Sequence, residues 1–432
     1  MTQKTCKKIL LIWLLTLVLI TVASLFVDIP AAKPGDVEGF QNYLDTAIPQ
    51  LMKKHHIAGV SVGLIHNGEI AYLNSYGYAD AENEIPVTEN TVFQAASISK
   101  TMTAWGIMNL VEEGKLDLDE PVSSYLSRWE LPPSEFDASG VTIRRLLSHT
   151  SGIAHVGGYA GFSPDEPLQT LEESLTSAKD AFGEGVRIVR QPGTKIEYSG
   201  GAYTLLQLVI EEVTGLPFEE YMKNEVLTPL GMDQSGFILD SAMRDNLSVV
   251  YGGNGKPAPG RVFTAKAAAG LFTTAHDLST WVAAMIPSGP NGQNGQALEP
   301  KTVQEMFQPQ TEIKNPFSYG LGYMVQNILF TDLSEVYHTG TNLPGWCSVV
   351  SIVPEKGEGL VILANSPGGA ALRHEIRSAW LHWVTGGSTA SLRLQKLVNI
   401  LKVVIPIGLA GGIGLIITSK ILRKKNKSNI SE

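Results

Sequence analysis

The sequence predicts an α+β fold: one mostly antiparallel sheet with flanking helices, plus an inserted helical second lobe. Three observations predict it. Strand-like runs stand at both ends of the central region, at residues 59–78 and again between 320 and 364. The stretch between them reads as helices and long loops, so segments distant in sequence must close the sheet. Of the 432 residues, 44% are hydrophobic and only 17% charged, which suits one large core with appendages. A cleft between two lobes is a natural place for a site.

The elements follow in order. Residues 9–27 form an unbroken apolar or near-neutral run after Lys4, Lys7 and Lys8. The run is nearer a spanning helix, about 20 residues, than the apolar region of a signal peptide, about 7–15. No clean A-x-A cleavage site follows. Residues 1–33 are therefore expected to be a signal anchor, with a cleaved signal peptide as the alternative. After a short polar linker, Tyr43, Leu44, Ala47, Ile48, Leu51 and Met52 repeat at helical spacing. The run 59–78 is rich in Val, Ile and Tyr and is divided by Asn67-Gly68, a hairpin signal.

Residues 97–113 read as a helix that stops at Gly114. A second helix covers 203–213 and ends at Gly215. A third follows Thr273-Thr274. Strands are expected at 320–326, 335–337, 347–353 and 359–364, and a last helix at 371–384. The large domain is thus 37–385, followed by a linker and juxtamembrane segment at 386–402. Residues 403–422 form a second apolar run, broken only by Lys420. The tail, 423–432, holds Arg423, Lys424, Lys425 and Lys427 and belongs in the cytoplasm by the positive-inside rule. One transmembrane helix is expected at each end, with the large domain outside the cytoplasm.

Charge narrows the function. The formal net charge is −9, and the basic residues cluster at the ends beside apolar runs. That argues against a nucleic-acid partner, which calls for a basic face. Cys6 and Cys347 would stand on opposite sides of the membrane, so no disulfide between them is expected. They have no metal-ligand spacing. Cys347, beside Trp346, reads as a small core residue.

Three short segments carry chemistry. In Ser97-Ile98-Ser99-Lys100 the serine starts a helix and the lysine lies one turn later on the same face. A serine hydroxyl needs a neighbour to take its proton, and a neutral lysine can do so. Alone, the tetrapeptide is better read as a helix cap and a surface lysine. Tyr198-Ser199-Gly200 supplies a phenol that can shuttle a proton, or a rim tyrosine. His338-Thr339-Gly340-Thr341 ends a strand. Its glycine would let a substrate approach the backbone, and a following N–H could join that of Ser97 as an oxyanion hole.

Together, in this order, the three segments resemble the signature set of the serine β-lactamase and penicillin-binding protein superfamily. The resemblance covers roughly residues 37–384. It is strongest to the branch of class C β-lactamases, D-alanyl-D-alanine carboxypeptidases, D-aminopeptidases and some esterases. Phe93-Gln94-Ala95-Ala96 before the serine, residues 146–152, Pro229-Leu230-Gly231-Met232, and Gly270-Leu271 with Asp277 match it too. The resemblance implies the β-lactamase-like two-lobe fold and an acyl-enzyme on Ser97. Lys100 and Tyr198 would share the proton work. The backbone of Ser97 and Thr341 would bind the oxyanion, and His338, Thr339 and Gly340 would line the substrate side. It implies no metal and no organic cofactor. His149 falls in a structural loop rather than a Ser-His-Asp triad.

The chain departs from the pattern twice. Gly200 stands where many members have Asn, removing an amide that could hold a substrate carbonyl. His338 stands where many β-lactamases have Lys, and a neutral histidine anchors a carboxylate less firmly. Both favour an ester or a D-amino-acid peptide or amide as substrate over a β-lactam or a terminal D-Ala-D-Ala. The expected partners are a small-molecule, peptide or cell-wall-derived substrate and the membrane. The alternatives are a β-lactamase or D,D-carboxypeptidase, and a non-catalytic, membrane-tethered sensor.

Overall fold

The computed structural model describes residue 16 and residues 32–386, apart from 154–157, 182–184, 287–297, 311–317 and 329–330. The spans predicted at 9–27 (apart from residue 16) and 403–422, with the basic tail, lie outside the described residues. Among the described residues no helix is long and apolar enough to cross a membrane. Residues 31–387 form one compact unit.

The first helix, α1 (Val37–His55), is capped by Asp36, whose carboxylate accepts from the Gly39 N–H. It buries Phe40, Leu44, Ile48 and Met52, a stripe at fourfold spacing. Lys53, Lys54 and His55 in its last turn suit the negative end of the helix dipole. Strands β1 (Gly59–His66) and β2 (Glu69–Asp80) meet at Asn67-Gly68. Both turn residues have positive φ, 53° and 78°, as a type I′ turn requires. After β3 (Ile85–Pro86) and β4 (Phe93–Ala96) the chain enters the helical lobe. That lobe holds α2 (Ile98–Glu112), α3 (Ile143–Leu147), α4 (Gly200–Thr214), the small hairpin β5 (Val250–Tyr251) and β6 (Pro257–Ala258), and α5 (Lys266–Ala269). β7 (Leu271–Thr273) pairs with β4 and leads into α6 (Ala275–Ala284).

The chain then returns to the main sheet with β8 (Ser318–Tyr319), β9 (Met324–Asn327), β10 (Ser334–Asn342), β11 (Trp346–Val353) and β12 (Glu358–Ala364). It closes with α7 (Gly369–Thr385). The eight-stranded sheet has the order β3-β2-β1-β12-β11-β10-β9-β8, with every neighbouring pair antiparallel. The closure by distant segments is the pairing of β1 with β12, from Val60 opposite Ala364 to Ile65 opposite Gly359.

Helices cover both faces of this sheet. A Cβ added at Gly63 or Gly359 would run into Ser279 or Val282 of α6. Ala364 and Cys347, on the other face, lie against Gly369 of α7. Strands β11 and β12 are therefore buried along their whole length. On the outer side α7 packs on α1, where the rings of Phe40 and Trp383 stack 4.7 Å apart.

Two strand expectations need correction. Of the strand expected at 320–326 only residues 324–326 are strand, in β9; residues 320–323 turn instead, with Gly322 at φ +91° and, measured from an added Cβ, 2.5 Å from Ala104 of α2. The strand expected at 335–337 runs on to Asn342. Its second half is polar and small, so it lacks the alternation that marks a strand, yet it pairs with β11 throughout.

Candidate active site

Ser97 lies where β4 gives way to α2. Ala96 takes a positive φ of 52°, which turns the chain sharply into the helix. Ser97 is the N-cap residue, yet its hydroxyl makes no capping bond. The bland reading of a helix cap with a surface lysine therefore does not describe this turn. Lys100 is only 3% exposed. Its Nζ lies 3.3 Å from Ser97 Oγ and donates to the Ala268 carbonyl of α5 at 2.6 Å. The same nitrogen stands 4.9 Å from the centre of the Tyr198 ring. Ser99 ties the turn down: its hydroxyl donates to the Ala96 carbonyl at 2.6 Å and accepts from the Leu271 N–H at 2.9 Å.

Tyr198 precedes α4. Ser199 caps that helix by accepting from the Ala202 N–H at 3.1 Å, and its own N–H donates to His149 Nδ1 at 3.1 Å. The His149 ring lies 4.5 Å from Tyr198 and 4.9 Å from Tyr319, centre to centre. With Nδ1 engaged by a backbone N–H, His149 is a wedge that positions Tyr198. This fits the structural loop that the resemblance assigned to it.

The third wall is β10. Its neighbour β9 pairs only with Ser334 to Tyr337. From His338 to Asn342 the outer edge of β10 therefore has no strand partner among the described residues, and its backbone groups can meet a substrate. Gly340 has no room for a side chain among its own neighbours. A Cβ there would meet Ser348 Oγ at 2.3 Å and the Ala95 carbonyl at 2.4 Å. The glycine lets β10 press onto β4, the strand that leads into Ser97. Asn342 fastens the same contact, donating to Gln94 Oε1 at 2.9 Å and to the Ala269 carbonyl at 3.0 Å.

His338 is 1% exposed. Its Nδ1 lies 2.9 Å from the Thr339 carbonyl, which can only accept, so Nδ1 carries the proton. Nε2 is then a bare acceptor, buried and without a hydrogen-bond partner among the described residues. Burial, followed by the charge of Lys100, pushes its pKa down to about 3, against the opposing pull of the Thr339 carbonyl. His338 is neutral at physiological pH, and its ring centre is 6.1 Å from that of Tyr198.

One residue escaped the sequence reading. Arg373, on α7, donates through Nη1 to the Gly340 carbonyl and, at 2.9 Å, to the Ser348 carbonyl. Its Nη2 reaches Thr341 Oγ1 at 3.1 Å. A fixed cation thus stands beside the segment in which His338 replaces the usual lysine. Its only sequence signal was a basic residue one turn before Arg377 on the last helix.

The three segments singled out in the sequence are thus brought to one place: a serine whose hydroxyl caps no helix and meets a buried amine, a phenol held against that amine, and a strand edge. Such a set can activate a hydroxyl and receive a carbonyl. Among the described residues no group of His, Cys, Asp or Glu is arranged to hold a metal ion.

Comparison with known proteins agrees with this geometry. The family model described as Beta-lactamase matches residues 44–382. The protein flp of Staphylococcus aureus (strain COL) is 27% identical over 336 residues, which are 75% of this chain and 63% of that protein. The putative penicillin-binding protein PbpX of Bacillus subtilis (strain 168) is 27% identical over 324 residues, 74% of this chain and 73% of that one. Among solved structures, the octameric penicillin-binding protein homologue from Pyrococcus abyssi superposes with a TM-score of 0.67 at 27% identity, over 81% of this chain and 78% of that one. A class C beta-lactamase shares the fold with a TM-score of 0.64 at 22% identity, over 80% and 98%. The chain belongs to the beta-lactamase family, whose model spans most of it, and it covers less than two thirds of the length of the protein flp.

Proposed function

We propose that the chain is a membrane-anchored, extracytoplasmic serine hydrolase that acts on an ester or a D-amino-acid peptide or amide through an acyl-enzyme on Ser97. The observation that carries this reading is the buried Lys100 amine 3.3 Å from a serine hydroxyl that caps nothing. Ser97 Oγ attacks the substrate carbonyl carbon, and its proton passes to the Lys100–Tyr198 pair. The carbonyl oxygen gathers negative charge against the N–H groups of Ser97 and Thr341. The tetrahedral species then collapses, the leaving group departs with the proton, and water or an acceptor amine or hydroxyl releases the acyl group.

Neutral His338 and the absence of an amide at Gly200 support a substrate without a carboxylate beside the scissile bond. Arg373 favours the second reading, a D,D-carboxypeptidase or β-lactamase, because its guanidinium lies beside Thr341. The membrane anchoring rests on the apolar runs 9–27 and 403–422 and their basic flanks.

The test is labelling of the purified chain with a fluorescent fluorophosphonate and, separately, a fluorescent penicillin, with Ser97→Ala as control. Serine-dependent labelling by the first alone supports the ester or specialised peptide reading. Labelling by both supports the carboxypeptidase or β-lactamase. Labelling by neither, in a folded protein, overturns the acyl-enzyme and leaves a binding module.

A further inference from the structure

A cavity of about 490 Å³ is lined by Gln94 and walled by Phe237, Ile238, Phe272 and Trp346. Its size falls in the ordinary range for small-molecule sites, roughly 300–1,000 Å³. Two of the six large apolar side chains exposed among the described residues, Ile238 at 52% and Leu168 at 42%, line this one cavity. Isolated exposed apolar residues need no explanation, but two on one concave wall point to something that covers them.

Arg244 and Arg261 also line the cavity. Neither guanidinium has a carboxylate partner among the described residues; Arg244 spends only its Nε, on the Leu239 carbonyl at 3.2 Å. Lys266 at the rim is paired with Glu219 at 2.8 Å, while Glu166, which accepts from the Ser163 N–H at 2.8 Å, keeps its negative charge and faces two arginines. The net charge of the cavity lining is therefore positive. Its inner wall is joined to the candidate active site. Gln94 lies three residues before Ser97, and its side chain accepts from Asn342, the residue after Thr341.

We propose that this cavity binds an apolar chain or ring that carries a carboxylate, as part of the molecule whose carbonyl meets Ser97. The apolar body lies on Phe237, Ile238 and Phe272, and the carboxylate pairs with Arg244 and Arg261. The link to catalysis rests on the acyl-enzyme reading; the binding does not.

The test is calorimetric titration of the full-length protein with octanoate, octanol and octylamine, which share one apolar chain and differ in charge. Octanoate is expected to bind most tightly, and Arg244→Gln with Arg261→Gln to weaken it about tenfold while leaving octanol unchanged. Ile238→Asp is expected to weaken octanoate and octanol alike. Equal affinity for all three compounds, no measurable octanoate binding, or no effect of the arginine substitutions overturns the proposal. Fluorophosphonate labelling of the same samples separates the two readings. Intact labelling without octanoate binding removes this cavity alone; octanoate binding without labelling removes the acyl-enzyme alone.

Discussion

At the scale of single residues the site is held by close contacts that tolerate little. Gly340 is the sharpest case, since an added methyl would lie 2.3 Å from Ser348 Oγ and 2.4 Å from a backbone carbonyl. Gly340→Ala is expected to push β10 off β4, at about 1–3 kcal/mol of stability. It should also slow fluorophosphonate labelling more than it lowers the melting temperature would explain. His338 yields a pH prediction. Its folded pKa, about 3, lies below that of an unfolded histidine. Its contribution to stability is therefore complete above the unfolded value, near 6.5. As the pH falls from there towards 3 that contribution is lost, at no more than about 1.4 kcal/mol per pH unit. His338→Gln should flatten this part of the stability profile, measured by urea unfolding at a series of pH values. An unchanged acid limb would mean that His338 does not stay neutral in the folded state.

At the scale of elements, α7 is fixed to the sheet by a buried ion pair. Arg377 donates to Glu335 through Nε at 2.5 Å and Nη2 at 2.7 Å, and it lies 3.6 Å above the Tyr337 ring. Ser351 and Gln326 complete the carboxylate's shell. Three strands and a helix thus converge on one carboxylate, and Arg373 reaches Thr341 from one turn earlier on that helix. Arg377→Met would strand a buried charge and is expected to destabilise by about 3–5 kcal/mol. The double variant Glu335→Leu with Arg377→Met should lose markedly less stability. Both should label more slowly, because Arg373 loses its seat; unchanged labelling would separate α7 from the site.

The same elements show what the sequence could and could not reveal. Helix α2 was legible from its length and its stop at Gly114, and strands β11 and β12 from runs rich in Val, Ile and Leu. Ser97, Lys100 and Tyr198 were legible only as a set, since each is bland alone. Arg373 and Arg377 were not legible. Their partners lie 25 to 42 residues away, and no local pattern encodes which strand a helix will face. Gly340 was noticed, but the crowding around it was not legible, because it comes from Ser348 of β11 and from the Ala95 carbonyl of β4, the latter more than two hundred residues earlier.

At the scale of the whole molecule, the helical lobe is an insertion between strands of one sheet, and its core is continuous with the sheet's. Phe93, Trp105, Trp281, Val350 and Leu363 belong to one buried cluster. The two lobes are therefore expected to unfold together. Far-ultraviolet dichroism and tryptophan fluorescence should report one coincident urea transition; separated midpoints would show that the lobes are independent. The stack of Phe40 on Trp383 has a further consequence. It places the first turn of the domain's first helix beside the last turn of its final helix, so the domain is close to a closed loop of chain. Its ends could be joined by a short linker and new ends cut at the Asn67-Gly68 turn, giving a circularly permuted chain with the same sheet and the same serine.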